Sequence, residues 1–166
     1  MRVIAGSARG IPLKTPDGMQ TRPTADRVKE AMFSIIHFEI PGAAVLDLFG
    51  GTGQLGIEAL SRGAKSAVFV DAGEPACRLI RENLKATSLT ERGRVISGDS
   101  MEYLKSIRET FDIIFLDPPY DTMLCDKALQ KIFAFDILTQ GGIIVCERPL
   151  DKELSLEFSG FSRSRD

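Results

Sequence analysis

Tryptophan is absent from this 166-residue chain, histidine occurs once, as His37, and tyrosine only twice. One imidazole and three scattered cysteines cannot assemble an ordinary zinc site, so no metal is expected. The cysteines, Cys77, Cys125 and Cys146, are odd in number and form no close pair in sequence. That usage predicts reduced thiols in a cytoplasmic protein and argues against a disulfide framework. No apolar run approaches the ~18 residues of a membrane span. The N-terminal MRVIAGSARGIPLK likewise lacks an apolar core of signal-peptide length, which leaves secretion unsupported. The chain is also short for two full domains, so one core with an appendage is expected.

What is present is ordinary in amount and uneven in placement. Hydrophobic residues make up 43% and charged residues 27%, with a net charge of −2. Residues 1–30 carry six basic side chains, Arg2, Arg9, Lys14, Arg22, Arg27 and Lys29, against three acidic ones, a balance of +3; the remainder carries −5. A basic N-terminal segment on an acidic body can hold a polyanion locally without a basic overall pI, although a solvated hairpin and helix would look the same by charge alone.

From residue 44 onward, short β-branched runs alternate with helical periodicity, the pattern of a doubly wound, mostly parallel α/β sheet. The predicted strands are 44–49, 66–71, 94–99, 112–117 and 142–147. Helices are predicted at 54–62, closed by Gly63, at 75–87 with Pro75 in its first turn, briefly after Ser100, and at 123–135. Ahead of the sheet, RVIAGSARGIPLKT reads as a β-hairpin around Ser7 to Gly10. RPTADRVKEAMFSII reads as a helix capped by Thr24 that buries Val28, Met32, Ile35 and Ile36. The expected organisation is an N-terminal extension over 1–40 and a catalytic domain over 41–166.

Ligands of open parallel sheets gather at the carboxyl ends of the strands. Candidate residues fall on four such ends. In LDLFGGTGQLG, Gly51, Gly53 and Gly56 satisfy G-x-G-x-x-G, which keeps a nicotinamide site open. Asp47, however, sits inside the strand just before the glycines, where a dinucleotide needs no carboxylate. It could instead meet the amino group of an amino-acid-like ligand such as the methionine end of S-adenosylmethionine, with Gly50, Gly51 and Gly53 letting backbone approach closely and Phe49 beside them as a further cofactor-binding candidate. Asp71 ends the second strand and is placed to accept from two ribose hydroxyls, in either kind of site. Glu74 competes for that role, or serves only the helix dipole. Asp99, followed by Ser100, could take an adenine amino group or simply cap the next helix.

FLDPPYDT decides between the ligands. Asp117, Pro118, Pro119 and Tyr120 leave the fourth strand in a stiff turn, because proline fixes φ and donates nothing to a ladder. An exocyclic amine on a base is a poor nucleophile, since its lone pair is delocalised into the ring. Acceptors on both of its N–H groups, the Asp117 carboxylate and the Pro118 carbonyl, stabilise the charge that develops as it attacks a methyl group. Tyr120 offers a stacking face for the base.

At these residues the chain resembles class I S-adenosylmethionine-dependent methyltransferases. More narrowly, it is similar to the bacterial family that methylates N2 of a guanine in 16S ribosomal RNA, through RVIAGSARGIPL, RPTADRVKEAMFSI, VLDLFGGTGQLGIEALSRGA and FLDPPY. The resemblance implies that Asp47 and glycines 50–53 line the methionine end of the cofactor, Asp71 the ribose and Asp99 the adenine. It implies that Asp117 to Tyr120 hold the guanine, and that Arg2, Arg9, Lys14 and Arg22 contact RNA. The implied partner is 16S rRNA in the small ribosomal subunit or an assembly intermediate, and the enzyme is expected to be a monomer. Family members continue past GFSRSRD with a further strand, so the last sheet strand is expected to be missing. A DNA adenine-N6 methyltransferase and a catalytically idle RNA-binding protein are the alternatives. The first usually brings a separate sequence-reading domain, for which there is no length. A nicotinamide oxidoreductase is disfavoured because neither Tyr103 nor Tyr120 has a lysine four residues on.

Overall fold

The computed structural model describes residues 1–18, 23–119, 122–148 and 160–162, without the side chains of Pro23, Thr24 and Thr122. Five strands, β1 (Ala44–Asp47), β2 (Ser66–Asp71), β3 (Gly93–Ser97), β4 (Phe111–Leu116) and β5 (Leu138–Cys146), form one sheet in the order β3-β2-β1-β4-β5. Every pairing is parallel, so the carboxyl ends share one edge, and the strand order reverses between β1 and β4. Register places Asp47 beside Phe69 on one side and Phe115 on the other. The central strands are buried on both faces, which is why they read as continuous apolar runs. One core layer holds Val45, Phe69, Ile113 and Phe115 with Ile57, Leu60 and Ile80. The other holds Leu46, Val70, Ile114 and Leu116 with Leu104, Leu129 and Ile132.

Helices α2 (Gln54–Ser61), α3 (Glu74–Ala86), α4 (Ser100–Ser106) and α5 (Thr122–Ala134) follow their strands within a residue or so of the predicted bounds. The chain leaves β1 two residues earlier than predicted, because Leu48 and Phe49 already belong to the turn. β5 starts earlier, at Leu138, and a register irregularity between Phe111 and Ile113 absorbs the extra length. No helix among the described residues is long and apolar enough to cross a membrane.

Three expectations need correction. The N-terminal β-hairpin is not formed as a strand pair: residues 1–13 fold back in a loop with a single antiparallel bridge, Arg2 to Pro12. Pro12 has no N–H to give, and the amides of Ile4 and Ala5 donate to the Glu58 carboxylate at 2.9 and 3.0 Å instead of to a partner strand. The first helix, α1 (Pro23–Ile35), starts before Thr24 and is rotated from the predicted face. Val28 and Ile35 are 58% and 50% exposed, whereas Lys29, Phe33 and Ile36 are buried. Phe33 carries the packing, against Phe115 at 5.6 Å between ring centroids and under the Arg62 guanidinium at 4.8 Å. Finally, Cys125 of α5 and Cys146 of β5 are joined as a disulfide across 21 residues, while Cys77 is a buried free thiol. The juxtaposition of α5 with the end of β5 is a tertiary fact that cysteine spacing does not encode. The segment after β5, including the predicted absence of a final strand, lies largely outside the described residues.

Candidate active site

The edge formed by the strand ends gathers the acids that the sequence singles out. Asp47 and Asp117 stand on the two sides of the β1–β4 reversal, where an open sheet parts to make a crevice. The glycine loop leaves β1 with Gly51 and Gly53 at φ of +56° and +78°, a conformation that other residues adopt only under strain. A Cβ on Gly51 would meet nothing nearer than the Phe49 carbonyl at 3.9 Å, so the loop faces open space there. Gly56 answers a different need: a Cβ on it would sit 2.3 Å from the Phe69 ring, and its absence lets α2 close on the sheet. The third glycine of the motif is therefore a packing residue.

Asp47 is 2% exposed, and its Oδ2 accepts from the Gly56 amide at 3.1 Å. Burial pushes its carboxyl up to about 7; the Gly56 hydrogen bond opposes the rise, and the neighbouring Asp117 and Asp71 charges add to it. A buried acid with spare acceptor capacity facing the crevice suits a cationic partner, such as an ammonium group. Asp71 uses Oδ2 to accept from Gly51 N at 2.9 Å and Oδ1 to accept from Gly73 N at 2.8 Å. It thereby steadies the glycine loop, and each oxygen keeps a lone pair for a hydroxyl donor. Glu74 is drawn away from this role by Ser97 Oγ at 3.0 Å and Arg81 at 3.4 Å. The acceptor set of the edge fits an adenosine ligand carrying an amino-acid tail.

Asp99 caps α4, its Oδ1 accepting from Glu102 N at 3.0 Å. Ser100 is buried and donates to the Leu48 carbonyl at 2.7 Å, so its hydroxyl ties α4 to the glycine loop. Asp117 lies one residue beyond β4; burial, and to a smaller extent the Glu147 charge, push its carboxyl up to about 6. Glu147, which follows β5 and donates its amide to the Leu116 carbonyl at 2.9 Å, was not foreseen as a neighbour of Asp117. Pro118 is half-buried and Pro119 exposed, while Tyr120 lies outside the described residues.

The basic candidates among the described residues lie on the N-terminal loop and not at a strand end. Arg2, Arg9 and Lys14 are exposed on the N-terminal loop, with Arg2 paired to Asp26 at 3.6 Å and Lys14 to Glu82 at 2.9 Å; Arg22 lies outside the described residues. Arg2 and Arg9 line an open cavity of about 400 Å³ between that loop and α1, together with Arg27, Asp26 and Glu30. Sequence reasoning overlooked the residues that fix this loop, Glu58, Ser61 and Asn83. The one available hint was an acid, Glu58, inside the apolar run of α2.

Five parallel strands in this order, with acids at their ends flanking a glycine loop, make a Rossmann-like nucleotide site, and similarity to known proteins makes it that of an S-adenosylmethionine-dependent methyltransferase. The solved structure of the Escherichia coli protein yhhF has the same fold, with a TM-score of 0.82 and 31% identity over 93% of this chain and 85% of that one. The chain belongs to the family described as Conserved hypothetical protein 95, which matches residues 1–166. YlbH of Bacillus subtilis is 43% identical over 157 residues, covering 93% of this chain and 85% of YlbH. The Escherichia coli K12 protein named Ribosomal RNA small subunit methyltransferase D is 31% identical over 166 residues, covering 100% of this chain and 83% of that protein.

Proposed function

We propose that the protein transfers a methyl group from S-adenosylmethionine to the exocyclic N2 amine of a guanine in 16S rRNA, within the small ribosomal subunit or an assembly intermediate. The observation that carries this reading is the position of Asp117-Pro118-Pro119 at the strand-order reversal, across the crevice from Asp47. Relatives named as small-subunit rRNA methyltransferases support the choice of nucleic acid. S-adenosylmethionine supplies an electrophilic methyl group on a sulfonium. Asp47 and the backbone of 49–53 receive its methionine end, Asp71 the ribose hydroxyls, and Asp99, through the oxygen not used in capping, the adenine amine. Asp117 and the Pro118 carbonyl accept the two N–H groups of the guanine amine, and Tyr120 stacks on the ring. As N2 takes the methyl carbon, the carbon–sulfur bond would break with its electron pair left on sulfur, so that neutral S-adenosylhomocysteine departs and the nitrogen becomes cationic; the ionised Asp117 would stabilise that charge and hold the released proton before it passes to solvent. The N-terminal extension, residues 1–40, holds RNA phosphates beside the catalytic domain, residues 41–166. Labelled-methyl transfer to naked 16S rRNA, to purified small subunits and to duplex DNA tests the assignment. Label on N2-methylguanosine supports it, and label on adenine in DNA replaces it with the alternative.

Two further outcomes follow. Only ionised Asp47 attracts an ammonium group, and its carboxyl titrates at about 7. Cofactor affinity should therefore drop about tenfold for each unit of pH below 7, between pH 7 and 5.5, with a proton released on binding in that window. Calorimetry in buffers of different ionisation enthalpy checks both, and Asp47→Asn should bind weakly with a flat profile. On the RNA side, replacing Arg2, Arg9 and Lys14 together by alanine should flatten the salt slope of RNA binding by about two units, since each phosphate contact contributes roughly 0.7–0.9. Cofactor affinity should hold within a few-fold. If the loop only braces the fold, the variant melts earlier and keeps its salt slope.

A further inference from the structure

Asn83 lies on the buried face of α3, wholly inaccessible to solvent. Its side chain makes three hydrogen bonds, none within its own helix. Oδ1 accepts from the Lys14 amide at 2.8 Å, and Nδ2 donates to the Lys14 carbonyl at 3.0 Å and to the Thr52 carbonyl at 2.9 Å. Both amide hydrogens are thus committed, one to each of two segments that lie 69 and 31 residues away. Thr52 is the buried residue between Gly51 and Gly53, at the crown of the cofactor loop. Lys14 ends the N-terminal loop. A second contact runs in parallel: Thr52 Oγ1 donates to Met1 Sδ at 3.4 Å, and Leu13 N donates to the Met1 carbonyl at 2.9 Å, so both ends of the N-terminal loop are tied to the same place.

A buried asparagine that merely filled space would be replaceable by leucine at no cost in specificity. This one commits both amide hydrogens and one oxygen lone pair to two segments distant in sequence. The Thr52 peptide sets the entry to Gly53, whose left-handed backbone turns the chain into α2. Any ligand that fixes the loop therefore fixes the carbonyl that Nδ2 holds, and with it the geometry that the same amide offers to Lys14.

We propose that Asn83 is a positioning residue that transmits occupancy of the glycine loop to the N-terminal loop, so that cofactor binding orders the segment bearing Arg2, Arg9 and Lys14. The functional meaning rests on the proposed RNA role of that segment. By linkage, RNA held there raises cofactor affinity by the same factor as cofactor raises RNA affinity.

The Lys14 amide donates to Asn83, so its hydrogen exchange reports the link directly. Saturating S-adenosylhomocysteine should slow exchange over residues 11–14 of the wild-type protein by about five- to tenfold, the lower part of the usual coupling range. Asn83→Ala should exchange quickly there with and without that ligand, although the ligand still binds. Asn83→Asp, isosteric and carrying one donor when protonated, should recover part of the response at pH 5. An unresponsive segment in the wild-type protein overturns the proposal even if the variants fail to fold, and so does a full response in Asn83→Ala. The RNA reading is tested separately, by the affinity of S-adenosylhomocysteine with and without 16S rRNA. A responsive segment with no rRNA effect removes the RNA role of the loop and leaves the transmission through Asn83 standing.

Discussion

Asp117→Ala should lower methyl transfer by ~10²–10³-fold, the usual loss when one preorganised acceptor of developing charge is removed, while cofactor affinity stays within a few-fold. The separation is expected because Asp117 faces the amine and the cofactor's methionine and ribose ends are assigned to Asp47 and Asp71. The wild-type pH profile supplies a second signature. Asp117 is held at about 6, so below that pH it is protonated and loses acceptor strength. At saturating cofactor, kcat should fall about tenfold per unit as pH drops below 6, a limb absent from the residual activity of Asp117→Ala. Saturation matters, because Asp47 titrates near 7 and would otherwise mix cofactor loss into the profile. Glu147→Gln removes the charge that helps raise the Asp117 carboxyl, so its acid limb should move to lower pH. Wild-type turnover in Asp117→Ala would sink the mechanism.

The strand ends were legible because the physics that places them is local. A parallel strand covered on both faces reads as an unbroken apolar run, and an acid at its end marks where the run meets solvent. Ser66–Asp71 was bounded to the residue for that reason, and Asp47, Asp71, Asp99 and Asp117 all lie at the carboxyl edge. Half of the α1 face was misread: Met32 and Ile36 pack on the core, but Val28 and Ile35 satisfy helical spacing as well as Lys29 and Phe33 do. What turns the helix is Lys29, whose ammonium is pulled inward by Glu58 at 3.6 Å and by the Arg2 carbonyl at 2.7 Å. The hairpin was misread through the same acid, which takes the amides a second strand would have used. Glu58 and Asn83 find their partners in the N-terminal loop 53 to 69 residues away, beyond the reach of any periodicity. The family resemblance could carry site residues across because they sit in motifs. It did not carry the anchors: Glu58 and Ser61 lie within VLDLFGGTGQLGIEALSRGA, but the resemblance assigned them no role, and Asn83 lies in none of the motifs.

The largest stability effect is expected at that acid. Glu58 is wholly buried and pairs with two cations, Arg62 at 2.9 Å and Lys29 at 3.6 Å, while accepting from Ile4 N and Ala5 N. Glu58→Ala leaves Lys29, whose side chain is 3% exposed, as a buried ammonium facing one carbonyl, with two backbone amides unpaired. Removing one partner of such a pair costs about 3–5 kcal/mol, or roughly 6–20 °C in Tm for a chain of this size. Glu58→Gln should lose less, since the amide oxygen still accepts from one of the two amides. Lys29→Met combined with Glu58→Gln should lose less than the sum of the two changes, because no ammonium is left buried without its carboxylate. The pH dependence fixes the cause. Burial already lowers the Lys29 pKa, and Glu58 and Asp26 oppose that drop, so deleting Glu58 lowers it further. The folded state then binds fewer protons than the unfolded one, and its penalty is fully present below the folded pKa. The deficit of Glu58→Ala relative to wild type should therefore narrow as pH rises from 7 towards 10.5, the ordinary lysine value. Urea unfolding at pH 7 and 9.5 measures it; a deficit that is constant across that range would mean that lost packing, not the stranded ammonium, sets the cost.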